Sequence, residues 1–198
     1  QIGWQKGSWQ VLGAYTHITD EGRFLSPREW GREPFYTFMS RERVEGSGRL
    51  DAFTLREKFK DLRGARALIV GDIQHSRVAR STSLIFRRLG MSVAYLAPGS
   101  VMPREAPREI PQYGNWDDAL EFKPDVVYLL RVQTERMDEP FFPSASEYHK
   151  NYGLTDARVQ ILRERGLYLM HPGPVNRGVE ITDTGMNYEK SLINQQVE

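Results

Sequence analysis

Beyond residue 50 the apolar positions fall into two alternating rhythms. Phe53, Leu55, Phe59 and Leu62 recur roughly three or four apart, which predicts a helix over 51–62. A continuous apolar run over 65–70 ends in Gly71-Asp72, the pattern of a strand buried in a parallel sheet. A second helix is predicted over 76–89, with apolar Val78, Leu84, Ile85 and Leu89 and with Gly90 as its stop. A strand over 92–97 follows, closed by Pro98-Gly99, and then a short helix over 116–122 with Asn115 as candidate N-cap. The pattern continues with a strand over 125–130, a helix over 155–165 stopped by Gly166, a strand over 167–170 and a final helix from Asn187 onward. Strands alternating with helices predict an α/β fold, a doubly wound and mostly parallel sheet with helices on both faces. Ligands of such sheets bind beyond the carboxyl ends of the strands.

Before Gly46-Ser47-Gly48 this rhythm is absent, and aromatics, glycine and turn residues dominate: Trp4, Trp9, Tyr15, Trp30, Phe35, Tyr36 and Phe38. Apolar stretches over 9–15 and 35–39 read as short strands, with turns at Asp20-Glu21-Gly22 and Ser26-Pro27. Gly-Ser-Gly reads as a flexible joint, natural or introduced. The chain thus divides into a small β-rich or irregular segment, 1–48, and an α/β domain, 49–198. A small β core accounts for the aromatics of 1–48. An exposed aromatic surface would instead mark a protein-binding module.

Composition narrows the function classes. At 198 residues, 39% hydrophobic and 27% charged, the chain is long enough for one good core, or one domain with an appendage. A net charge of +1 sets up no global field for nucleic acid or an anionic membrane, so neither is an expected partner. The absence of cysteine excludes disulfides and thiolate zinc sites. No apolar run approaches the ~20 residues that span a bilayer. The first ten residues do not form a signal peptide, and the missing initiator methionine points to a processed or partial product. A cytoplasmic location is expected.

Three motifs fall at predicted strand ends. The first, residues 71–81, opens with Gly71-Asp72-Ile73-Gln74-His75-Ser76-Arg77 and runs from strand into helix. Glycine permits the tight turn, the helix start favours an anion, and Arg77 is placed to meet a carboxylate bidentately. Arg131 and Gln133 follow the strand over 125–130 and, two apart, point the same way if that geometry continues. A planar guanidinium beside a neutral amide suits a small dicarboxylate. The third motif, residues 171–181, opens with His171-Pro172-Gly173-Pro174, whose two prolines fix the backbone and donate no N–H, so its carbonyls can face an amino group. Gly173-Pro174 is a candidate cis bond. Each motif alone also has an ordinary reading: a surface arginine, a local ion pair, a rigid turn. His149 lies in a stretch, 148–154, that reads as a polar loop, either a mobile surface loop or a lid. His75 and His171 read as structural, no histidine has zincin-like spacing, and no metal is expected.

Taken together, in this order and at this spacing, the motifs resemble the catalytic chain of bacterial aspartate carbamoyltransferases. Phe53-Thr54-Leu55-Arg56-Glu57-Lys58-Phe59, the stretch 148–155 and Asn194-Gln195-Gln196-Val197-Glu198 are also similar to that family. The resemblance covers about residues 50–198. It implies the aspartate-binding domain, with Arg77 on the α-carboxylate side of L-aspartate and Arg131 and Gln133 on its side-chain carboxylate. The carbonyls of Pro172 and Gly173, in the loop closed by Pro174, would take the amino group and the carbamoyl NH₂. The stretch 148–155 would belong to the loop that closes over the site. Family members transfer a carbamoyl group from carbamoyl phosphate to L-aspartate in pyrimidine biosynthesis, without a cofactor, as trimers. The chain departs from them in having no Ser-Thr-Arg-Thr phosphate loop and no His-Pro-Thr-Gln segment; Gly46-Ser47-Gly48-Arg49-Leu50 stands where the latter is expected. It also stops inside the helix that crosses back to the first domain. The expectation is a chain that supplies the aspartate side of a carbamoyltransferase site and turns over poorly alone, in a homo-oligomer or with a partner chain carrying the phosphate site. The alternative is a non-catalytic relative that serves as an assembly or regulatory subunit.

Overall fold

Successive side chains of a strand point to opposite faces, so a strand that is apolar throughout must be covered on both. The computed structural model describes residues 46–132 and 144–197, the side chains of 46–50 and 197 excepted. In chain order its elements are α1 (Gly46–Lys58), β1 (Arg66–Val70), α2 (Arg77–Arg88), β2 (Ser92–Leu96), β3 (Gln112–Tyr113), α3 (Trp116–Glu121), β4 (Val126–Leu129), α4 (Ala145–Asn151), α5 (Asp156–Arg165), β5 (Tyr168–Met170), α6 (Asp183–Met186) and α7 (Ile193–Val197). The five strands form one parallel sheet in the order β3-β2-β1-β4-β5. Alternate positions feed two cores. Ala67, Ile69, Val93, Tyr95, Val126 and Tyr128 pack with Leu55 of α1 and Ile85 and Phe86 of α2. Leu68, Val70, Ala94, Leu96, Val127 and Leu129 pack with Trp116 and Leu120 of α3 and Val159 and Leu162 of α5. The doubly wound α/β reading is therefore correct.

The winding places a topological switch point inside the sheet. The chain moves outward from β1 through β2 to β3, then returns to the other side of β1 to lay down β4 and β5. The crevice of such a sheet opens where the order reverses, here between β1 and β4, at their carboxyl ends.

Local chemistry sets the helix ends. Ser76 accepts the Ala79 N–H at the start of α2, Asn115 accepts the Asp118 N–H at the start of α3, and Thr155 accepts the Arg158 N–H at the start of α5. Gly166 closes α5 in the left-handed region at φ 68°.

Four features differ from the sequence reading. Residues 46–48, read as a flexible joint, form the first turn of α1. The stretch read as a polar loop from residue 148 is largely the end of α4, with Tyr148 buried at 2% exposure. Its polar composition hides the helix, because Tyr148 is the one α4 side chain that is buried. From Asn187 onward, where a single helix was expected, the chain instead leaves α6, turns over 187–190, bridges Leu169 at Ser191 and becomes helical only in α7. Tyr188, 3% exposed, anchors that turn through its hydroxyl, which donates to the Leu162 and Leu167 carbonyls. Strand β3 was not expected, since two residues carry no readable period. The strands and turns expected within 1–45, and Gln133, lie outside the described residues.

Candidate functional site

β1, β4 and β5 are neighbours in the sheet and run the same way, so the chain leaves all three at one edge. The three motifs therefore meet there: Gly71 to Arg77 beyond β1, Arg131 beyond β4, and His171 to Pro174 beyond β5. Gly71 has φ 128°, and a Cβ built on it would lie 3.0 Å from the Tyr148 hydroxyl and 3.1 Å from Leu130 Cβ. Both its backbone and its space require glycine. Asp72, 4% exposed, accepts the His75 N–H at 3.2 Å and pairs with His75 Nδ1 at 2.8 Å, which holds the turn into α2.

Arg77 opens α2 and is exposed; Arg131 directly follows Leu130 and is exposed. Neither side chain makes a hydrogen bond or ion pair with another described residue. The loop after β5 contains the cis Gly173–Pro174 bond. The sole N–H of its Pro172-Gly173-Pro174 stretch, that of Gly173, donates to His171 Nδ1 at 2.9 Å. Among the described residues nothing donates to the Pro172 or Gly173 carbonyl. The edge thus presents two cations and two backbone acceptors without partners among the described residues.

Beneath these groups lies a buried polar framework. Glu180 is 1% exposed and accepts four hydrogen bonds. Oε1 takes the Val132 N–H at 2.6 Å and Asn176 Nδ2 at 2.8 Å; Oε2 takes the Asn176 N–H at 2.8 Å and His171 Nε2 at 2.9 Å. Because His171 Nδ1 accepts from Gly173, the ring proton sits on Nε2 and points at Glu180. Asn176 Nδ2 also donates to the Val132 carbonyl at 2.7 Å. One carboxylate therefore joins the backbone beside Arg131 to the loop carrying Pro172 and Gly173. Tyr148, packed against Gly71, has its hydroxyl pushed far up by burial and by the Glu180 and Asp72 charges, so it remains a neutral phenol.

A second buried carboxylate, Asp51 of α1, accepts Thr82 Oγ1 at 2.9 Å, the Tyr128 hydroxyl at 2.7 Å and Gln196 Nε2 at 2.7 Å. Burial pushes its pKa up to about 6 against the opposing pull of these donors. Sequence reasoning missed Glu180, Asn176 and Asp51. Glu180 and Asn176 fall within the third motif, residues 171–181, but nothing local marks them as buried, while Asp51 finds partners 31, 77 and 145 residues away. Among the described residues no three metal-ligating side chains come together, and no helix is long and apolar enough to cross a membrane.

The sheet order and the loops at its carboxyl edge define a doubly wound domain of the carbamoyltransferase type. An aspartate transcarbamoylase from Trypanosoma cruzi, solved in complex with phosphate, matches 76% of this chain and 51% of its own at TM-score 0.63 and 21% identity. An ornithine carbamoyltransferase from Thermus thermophilus matches 78% and 51% at TM-score 0.60 and 19% identity. Residues 63–198 match the family described as aspartate/ornithine carbamoyltransferase, Asp/Orn binding domain, and the chain belongs to that family. It is 62% identical over 149 residues to the aspartate carbamoyltransferase catalytic subunit of Akkermansia muciniphila, and 43% identical over 149 residues to that of Halothermothrix orenii. Each alignment covers 75% of this chain but 48% and 47% of the respective relative, so the chain spans about half the length of the curated relatives it matches.

Proposed function

We propose that this chain supplies the aspartate side of a carbamoyl-transfer site. The observation that carries the reading is the pair of exposed arginines, Arg77 and Arg131, without partners among the described residues and flanking the switch point between β1 and β4. A dicarboxylate offers two anionic ends, and guanidinium forks meet carboxylates bidentately. Arg77 takes the α-carboxylate, and Arg131 with Gln133 takes the side-chain carboxylate. The carbonyls of Pro172 and Gly173 receive the amino group and the carbamoyl NH₂. The aspartate nitrogen attacks the carbamoyl carbon, the bond to the phosphate oxygen breaks, phosphate departs, and the amine gives up a proton. Holding both reactants in line contributes ~7–11 kcal/mol to lowering the barrier, so the aspartate side acts only with carbamoyl phosphate fixed against it. The carbamoyl phosphate side of the site is assigned to residues other than these, in further sequence of the same protein, in a neighbouring subunit of a homotrimer or in a partner chain. These roles are supported by the 62% identity to a catalytic subunit and by the groups at the sheet edge that have no partner among the described residues.

The test is succinate binding by calorimetry alongside carbamoyl aspartate formation from carbamoyl phosphate and L-aspartate. Succinate binds the parent chain, and Arg131→Ala, an exposed substitution, weakens it at least tenfold while the thermal melt stays unchanged. Binding that survives Arg131→Ala overturns the site assignment. Binding without turnover by the purified chain favours the assembly or regulatory reading for the chain in isolation, and turnover restored by a partner returns it to catalysis.

A further inference from the structure

The two buried carboxylates are not independent. Gln196 of α7 is 6% exposed and bridges them. Its Nε2 donates to Asp51 Oδ1 at 2.7 Å, and its Oε1 accepts the backbone N–H of His171 at 2.8 Å. His171 is fully buried, and its ring then donates to Glu180, which holds the Val132 N–H. An unbroken hydrogen-bonded path therefore runs from α1, through α7, to the loop after β5 and on to the backbone beside Arg131. Every side chain along it is at most 6% exposed, so water cannot substitute for a lost partner without entering the core.

None of these residues reaches the open edge itself. Each fixes backbone next to a group that does. Gln196 sets the His171 backbone, His171 sets Gly173 through its ring, and Glu180 sets Val132, the residue following Arg131. A site that must hold two carboxylates and an amine needs its cations and carbonyls fixed relative to each other, and a shift of about 1 Å costs heavily in alignment. The path also passes through α1 and α7, the first and last described helices, which touch one another.

We propose that Gln196 and Glu180 are positioning residues of the dicarboxylate site, acting through a buried relay Asp51–Gln196–His171–Glu180 that ties the helices at the two ends of the described chain to the Pro172–Gly173 loop and the Arg131 backbone. The inference rests on the aspartate-site reading for its ligand, while the relay itself is a property of the protein alone.

The experiment uses the full chain and the variant Gln196→Met, similar in length but without polar ends, with succinate as probe. Two quantities are read: succinate affinity, and amide hydrogen exchange at His171, Gly173 and Val132. The relay requires that Gln196→Met weaken succinate about tenfold and speed exchange at all three amides, including Val132, which Gln196 does not touch. Faster exchange confined to His171, with succinate affinity unchanged, overturns it as a local structural bond. If the parent chain does not bind succinate, the aspartate-site reading fails, and exchange at Val132 and Gly173 alone decides the relay. Should Gln196→Met not fold, Gln196→Glu serves: it keeps the acceptor for His171 and loses the donor to Asp51. The relay then requires exchange at His171 between those of the parent and Glu180→Gln, and parent-like exchange throughout overturns it.

Discussion

Glu180 shows how one buried charge organises a surface. Its four donors are backbone or neutral side-chain groups, so no cation offsets its burial; hydrogen bonds alone do. Removing the acceptor strands all four donors in the core. Glu180→Ala is expected to lower unfolding free energy by about 3–5 kcal/mol in urea titrations, and Glu180→Gln by less, because the amide retains one oxygen. Arg77 and Arg131 behave oppositely: both are exposed and contribute little to stability, so their substitution alters binding and leaves the melt in place. The sequence made the arginines legible because each follows a recognisable apolar run. It hid Glu180, because burial of an acid depends on donors up to 48 residues away.

Among the elements, α4 is held by its C-terminal end. Arg158 of α5 donates to the carbonyls of Gly153 at 2.5 Å, Lys150 at 2.9 Å and Asn151 at 3.2 Å, where a helix end leaves acceptors unpaired. Its guanidinium also lies 5.2 Å from the centre of the Trp116 ring, and Trp116 donates to the Tyr152 carbonyl at 3.1 Å. This clamp seats Tyr148 against Gly71, beside the site. Arg158→Met keeps the aliphatic stem and removes the cap. The expected result is a loss of about 1–2 kcal/mol and faster hydrogen exchange at Tyr152 and Gly153, with the β1 amides unaffected. Strands β1, β2 and β4 were legible as apolar runs, and α2, α3 and α5 by their caps and stops. α4 was not: Ser144 caps its start locally, but it buries a single side chain, so no apolar stripe marks it, and its C-terminal carbonyls are capped from the following helix.

At the scale of the whole molecule, Asp51 links pH to folding. Its folded pKa of about 6 lies above the ordinary 3.8, so between these values the native state binds the extra proton. Stability contributed by this group is therefore full at low pH and declines as pH rises through about 4 to 6. Asp51→Asn removes that decline: relative to the parent it gains up to about 3 kcal/mol between pH 4 and pH 7, measured as the difference of two urea series. A parent and variant with parallel pH profiles would show that Asp51 titrates normally. The amino-acid sequence by itself determined the alternation of helix and strand, the parallel sheet, and the three motifs at its carboxyl edge. These follow from local periodicity, capping and turn chemistry, which act within a few residues. The tertiary structure alone decided that β4 returns beside β1, which brings those motifs to one edge, and that Asp51, Gln196, His171 and Glu180 join beneath them. The physical reason is burial: a hydrogen bond between groups 145 residues apart forms only once the packed core has excluded water from both.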